Sequence, residues 1–167
     1  MAGIFNYCPD DVVCLIGGLL SVEGFVDGTF ISIRKDILPF TSGRTSDGQV
    51  GRLYQSDQTY TITLTLHAGS FSNDVLTKFW QLDEISQRGK FPLLVKDSSG
   101  SDLFFSTNTW IEGIPTLSKS ASVDSRVWIL RSSQAVINIG SNANEQSIIQ
   151  DLLNIATGAL PILEGIL

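Results

Sequence analysis

DQTYTITLTLHAGSFSNDVLTKFWQLDEISQRGKFPLLVKD, Asp57 to Asp97, writes a strand, a helix and a second strand in one stretch. Tyr60, Ile62, Leu64 and Leu66 alternate with Thr59, Thr61, Thr63, Thr65 and His67, the period of two of a strand with one apolar face. The other face is a ladder of threonines. After a short turn, Ser72 is a candidate N-cap, and Asn73 and Asp74 suit the positive end of a helix. Val75, Leu76, Phe79, Leu82 and Ile85 then recur at helical spacing, with Trp80 widening the stripe. This predicts a helix over 72–87 laid on a sheet, its polar side carrying Asp83, Glu84 and Gln87. Gly89 is the expected helix end, and Phe91 to Lys96 returns as a strand.

On the N-terminal side, Asp11 to Ile16 predicts a short buried strand that stops at Gly17 and Gly18, and Phe30 to Arg34 a second one after the Asp27-Gly28 turn. Leu19 to Val26 fits either strand or loop. Residues 35–56 differ in kind, with Gly43, Gly48 and Gly51 among Ser and Asp. They fit a mobile surface loop or an extended hairpin reaching a neighbour. Ile37, Leu38, Phe40, Val50 and Leu53 favour the contact arm, since an isolated loop has little use for that much apolar surface.

On the C-terminal side, Asp97-Ser98-Ser99-Gly100 is a hairpin turn. Leu103 to Ile111 follows as a strand, with Phe104, Ser106, Asn108 and Trp110 on one face and Phe105, Thr107, Thr109 and Ile111 on the other. Glu112 to Ser122 is a loop. Val123 to Ile139 holds a last strand or strand pair, Val127, Ile129 and Arg131 alternating with Trp128, Leu130 and Ser132. From Ser141 the pattern changes to an extension over 141–167 with a helix at about 144–157, capped by Asn142 or Asn144 and apolar at Ile148, Ile149, Leu152, Leu153, Ile155 and Ala156. Asp151, Gly158, Pro161 and Glu164 interrupt it, and no cationic flank is present. Docking on the sheet or on a neighbouring subunit is expected, without stable membrane insertion.

A chain of 167 residues fits a single domain over 1–167. With 43% hydrophobic and 17% charged residues, some apolar surface is expected to be covered by other copies. Eleven Lys plus Arg stand against 17 Asp plus Glu, a net charge of −6, with the cations scattered. That disfavours stable nucleic-acid binding, which needs clustered cations on phosphates. Met1 to Pro9 lacks the pattern of a signal peptide, so cytoplasmic synthesis is expected. Cys14 reads as a small core residue, and a disulfide with Cys8 is not expected. His67 is the single histidine, too little for a zinc site.

No G-x-S-x-G elbow or phosphate-binding glycine loop appears. Asp10-Asp11 and Asp83-Glu84 are adjacent pairs whose side chains diverge on strand or helix, which does not make an acid and base couple. The expectation is a protein without catalytic residues, metal or cofactor, whose product is a surface. Trp80, Trp110 and Trp128 fit core packing or a subunit interface; a groove for a carbohydrate or peptide on a β-sandwich is the reading from a different class.

Asp10 to Cys14 with the glycines after it, Gly28 to Ile33, Gln58 to Leu66 before Ser72 to Leu76, Phe91 to Asp97 and Ser125 to Trp128 together resemble a phage tail tube protein, over about residues 8–140. The similarity is to small structural proteins of contractile-tailed bacteriophages. It implies the fold shared with the tube protein of type VI secretion: mainly β, two packed antiparallel sheets in a partly closed barrel, and a flanking helix. It also implies homo-hexameric rings that stack into a tube in the virion tail, assembled in the host cytoplasm. Implied partners are the tail sheath, baseplate and tail-terminator proteins, and a tape-measure protein in the lumen, with DNA in transit and not specifically bound. Under this resemblance Ile37, Leu38, Phe40, Val50 and Leu53 would touch the next ring. Thr59, Thr61, Thr63 and Thr65 would face the lumen, and Asp83, Glu84 and Gln87 the sheath. A baseplate or terminator ring of the same fold is the alternative to the repeating tube subunit.

Overall fold

The structure is a computed structural model that describes residues 6–142; the expected helix at 144–157 lies outside the described residues. A 3-10 turn, Pro9–Asp11, precedes β1 (Val12–Ile16), β2 (Leu20–Ser21), β3 (Ile31–Lys35), β4 (Phe40–Arg44), β5 (Val50–Tyr54) and β6 (Tyr60–His67). Then come α1 (Ser72–Ser86), β7 (Phe91–Asp97), β8 (Leu103–Gly113), β9 (Ser125–Ser132) and β10 (Val136–Asn138). Eight strands form one antiparallel sheet in the order β2-β1-β7-β8-β9-β6-β3, with β10 on β8; β4 and β5 form a second sheet of two. The expected mainly β fold with antiparallel sheets, partial closure and one helix is therefore found. The division of strands between the sheets is uneven.

The alternation in β6 decides the core. Tyr60, Ile62, Leu64 and Leu66 are buried and lie in register with β9, Ile62 opposite Leu130 and Leu64 opposite Trp128. Across the interior, Tyr60 meets Phe104 of β8 edge-on with ring centroids 5.6 Å apart. The sheet therefore folds over itself, and Cys14, Ile16, Phe91 and Leu93 complete the buried cluster. Each fully buried aliphatic or aromatic side chain here contributes about 1.5–3 kcal/mol.

β8 departs from the expected alternation. Phe104, Ser106, Thr109 and Ile111 are the buried set, because the register with β7 slips between Phe91 opposite Thr109 and Leu93 opposite Ser106. One residue of β7 faces two of β8, a bulge at Thr107 and Asn108 that moves Thr109 and Ile111 onto the core face. The bulge also divides the edge of β8: Leu103 to Phe105 pair with β10, and Thr109 to Gly113 with β9.

The chain from β2 to β3 bridges the curled sheet. Val22 N–H donates to Cys14 O (2.8 Å), and His67 N–H to Gly24 O (2.8 Å). Gly24 has φ +76, and a Cβ there would overlap Ser70, so glycine is required at this crossing. Ser72 is the first helical residue and not the N-cap; its Oγ accepts the N–H of Glu23 at 2.8 Å. At the far end, Gln87 in the left-handed region (φ 58) ends the helix, and not Gly89. Gly89 is needed for close approach, since a Cβ there would strike Asp83 and the carbonyl of Phe79.

α1 covers the core with Asn73, Leu76, Phe79 and Trp80. Leu76 is fully buried, and Phe79 packs against Phe91 at 4.8 Å between ring centroids. The expected stripe is corrected at its C-terminal half: Leu82 and Ile85 are exposed, Ile85 at 85%. Asp83 instead turns inward and accepts the N–H of Gly89 at 3.1 Å.

Candidate assembly surfaces

The most conspicuous surface is the β4–β5 hairpin. All ten of its strand residues are exposed, although a two-stranded hairpin alone is marginal in water. Ile37 and Leu38 stand at its base, and Phe40, Val50, Leu53 and Tyr54 are open to solvent. Register places Phe40 opposite Tyr54 and Arg44 opposite Val50. That face is ordered by a Phe40–Tyr54 ring contact of 5.4 Å and by the Arg52 guanidinium 4.0 Å over Phe40. The opposite face carries Thr41 opposite Leu53, and beside them Gly43 opposite Gly51. One side thus offers aromatic rings and guanidinium groups, the other an exposed leucine beside a bare stretch of backbone that a second chain can approach closely.

A second surface is the outer face of the sheet. Thr59, Thr61, Thr63 and Thr65 are all half-buried on the side away from the core. Ser32 and Arg34 of β3 flank them on one side, Val127, Ile129 and Arg131 of β9 on the other. Arg131 is paired there, while Arg34 has no acidic partner among the described residues. Arg131 lies 3.4 Å from Asp36 and also against Glu112, and Thr61 Oγ1 donates to Asp36 at 2.5 Å. Asp57 accepts both the N–H and the hydroxyl of Thr59 (2.7 and 2.6 Å), and these bonds hold its carboxyl below the usual range.

A third surface is the outer side of α1. Toward its C-terminal end Glu84 and Gln87 are exposed, Gln87 on the side of Trp110, while Asp83 is half-buried and engaged with Gly89. Leu82 and Ile85 are exposed on the same helix and Phe71 at its N-cap, and Leu19 and Leu20 lie next to Phe71. The sequence pattern did not find this apolar strip, because it assigned Leu82 and Ile85 to the core. Their spacing from Phe71 to Val75, Leu82 and Ile85 is the signal that could have separated two arcs of one helix.

The tryptophans do not share a groove. Trp128 is buried with its indole N–H on Asn73 Oδ1 at 2.9 Å, Trp80 packs on the core, and Trp110 lies beside Asp83, Gln87 and Lys90. Among the described residues, no group of three His, Cys, Asp or Glu could hold a metal ion, and no helix is long and apolar enough to cross a membrane. His67 Nδ1 accepts the N–H of Gly69.

No protein-family model matches the chain. It is 28% identical over 155 residues to structural protein ORF10 of Pseudomonas phage KPP10, covering 89% of this chain and 90% of that one. Its fold resembles the tube-terminating cap of the anti-feeding prophage, with a TM-score of 0.56, 14% identity and coverage of 83% and 94% of the two chains. It also resembles a chain of the sheath/tube terminator of an extracellular contractile injection system in the extended state (TM-score 0.51, 13% identity, 83% and 100% covered). A chain of the sheath-tube complex of such a system is similar at TM-score 0.50 and 13% identity, with 80% and 91% covered. The fold is therefore one found in contractile injection systems.

Proposed function

We propose that this chain is a structural ring subunit of a contractile-type phage tail, acting at the end of the tube as a terminator or cap. The observation that carries this reading is the fold shared with the tube-terminating cap over 94% of that chain's length, joined to a sequence likeness to a phage structural protein. Six copies would close a ring in the virion tail, assembled in the host cytoplasm. The hairpin, through Ile37, Leu38, Phe40, Val50 and Leu53, would hold the adjoining tube ring. The outer side of α1, at Glu84 and Gln87 with Asp83 behind them, would face the sheath. The Thr59 to Thr65 ladder would border the channel through which tape-measure protein and DNA pass.

A second reading, the repeating tube subunit, is favoured by the hairpin itself, since an arm that reaches one ring serves equally to join identical rings. Electron microscopy of the concentrated protein separates the two. Single rings that add only to the ends of preformed tubes are expected; long tubes of this chain alone would overturn the terminator reading in favour of the repeating subunit. Dispersed monomers at every concentration would overturn both.

A further inference from the structure

We infer that the hairpin face carrying Thr41, Gly43, Gly51 and Leu53 is a self-docking surface, taken by the same face of a second copy about a two-fold axis. Two glycines facing each other inside a hairpin weaken both strands. Nothing within this chain requires them. Neither has a positive φ, unlike Gly48 at the turn. A Cβ at Gly43 would meet no atom within 4 Å, and one at Gly51 only the carbonyl of Gly43 at 3.9 Å. Gly24 and Gly89, by contrast, are crowded by their own chain. The reason for Gly43 and Gly51 therefore lies outside the chain, in the close approach of another backbone.

Three observations identify that backbone as a second copy's hairpin. The first is shape. Leu53 stands on the same face, 63% exposed, opposite Thr41 as Gly51 is opposite Gly43. The two rows are two residues apart along each strand, about 7 Å. A two-fold axis running across the strands, midway between the rows, lays Leu53 of each copy over Gly51 of the other and Thr41 over Gly43. Knob and hole thus lie on one face at a spacing that the symmetry exchanges. Stacked sheets sit about 10 Å apart with side chains between them, and here the leucine fills the gap that the glycine leaves. The second is charge. Arg44 and Arg52 project from the opposite face, Arg52 over Phe40 at 4.0 Å, and Asp47 lies in the turn beyond the paired rows. The docking face is uncharged, so two copies of it do not repel.

The third is area. The face measures about 17 by 10 Å, so one pair hides only about 340 Å2, below the roughly 1,200 Å2 at which stable interfaces begin. Six pairs between two rings hide about 2,000 Å2, which reaches it. This last argument rests on the ring reading above; shape and charge do not. An isologous contact is closed, so a third ring cannot add and no tube grows. Leu53 also belongs to the contact offered to a tube. Rings therefore pair face to face in the absence of tube ends, and a tube end that takes the arm separates them.

The test mixes two full-length variants, Thr41→Cys and Gly43→Cys, each also carrying Cys8→Ser, under mild oxidation. The axis sets position 41 of one copy over position 43 of the other. Because a disulfide needs Cα atoms within about 7 Å, linked dimers at least about fivefold more abundant in the mixture than in either variant alone are expected. Equal yields would overturn the pairing. Independently, Gly51→Val should weaken the face-to-face step at least about tenfold in sedimentation while the unfolding midpoint stays or rises, since valine favours a strand. Unchanged pairing, or a lower midpoint that gave the glycine a reason within its own chain, would overturn the inference. Rings that never pair in the microscope would overturn it and leave the ring reading standing. Disulfides specific to the mixture, from a protein that forms no rings, would uphold the pairing and count against the ring.

Discussion

Asn73 gathers four pieces of the fold through one amide. Its Oδ1 accepts from the Trp128 indole at 2.9 Å, and its Nδ2 donates to the carbonyls of His67 and Ser70, both at 3.0 Å. The end of β6, the turn, the first turn of α1 and β9 are thereby fixed to one another. Trp128→Phe would leave the buried Oδ1 without its donor, a loss of about 1–3 kcal/mol; urea unfolding should show a lower midpoint with the same slope. From sequence Asn73 was legible as a residue suited to a helix start, but not as the partner of a tryptophan 55 positions away, because no local pattern encodes that contact. The two cysteines diverge as well. Burial pushes the Cys14 thiol up to about 12, whereas Cys8 is exposed. A maleimide at about pH 8 should modify Cys8 quickly and leave Cys14 untouched until the chain is unfolded, as mass spectrometry of the labelled peptides would show.

The hairpin, β8 and α1 differ in how far their sequences disclose them. If the exposed hairpin is a contact arm, Val50→Asp together with Leu53→Asp should leave the fold and ring formation intact, since neither residue touches the core. Attachment to a second ring or to a tube should fall at least about tenfold, because each buried aliphatic contributes about 1.5–3 kcal/mol; sedimentation of mixed rings and tubes measures it. The apolar excess of this stretch was legible in the sequence. The period of two in β6 and β9 also carries through, because both strands run without a bulge against each other. In β8 the same pattern misassigns Thr109 and Ile111, since one added residue at Thr107 and Asn108 reverses every later face. In α1 the apolar positions lie on two arcs, and only the sheet beneath selects Leu76 over Ile85.

At the scale of the whole molecule, an acidic chain with a net charge of −6 suits a channel that DNA crosses without being held, since lining cations would exchange counterions at each step. On the threonine face Arg131 is answered by Asp36 and Glu112, and Arg34 is a cation there without such a partner among the described residues. If this face borders the channel, rings carrying Thr63→Lys should retain duplex DNA in a filter assay at low salt and lose it as salt rises, whereas unmodified rings retain none; variant rings that also retain none would put the threonines elsewhere. Any contact between copies is set by the surfaces of both, so no local pattern in the chain encodes it. β9 adds a constraint of timing. It is the strand that joins the two sheet halves, paired to β6 on one edge and β8 on the other, and it comes after both in the chain. The sheet therefore cannot be completed through β9 on the ribosome until about residue 132 has emerged, so a nascent chain carries the exposed hairpin on an unfinished body. At synthesis rates of about 5–20 residues per second, that interval lasts seconds, and during it the hairpin's apolar surface is already on offer to neighbouring nascent chains.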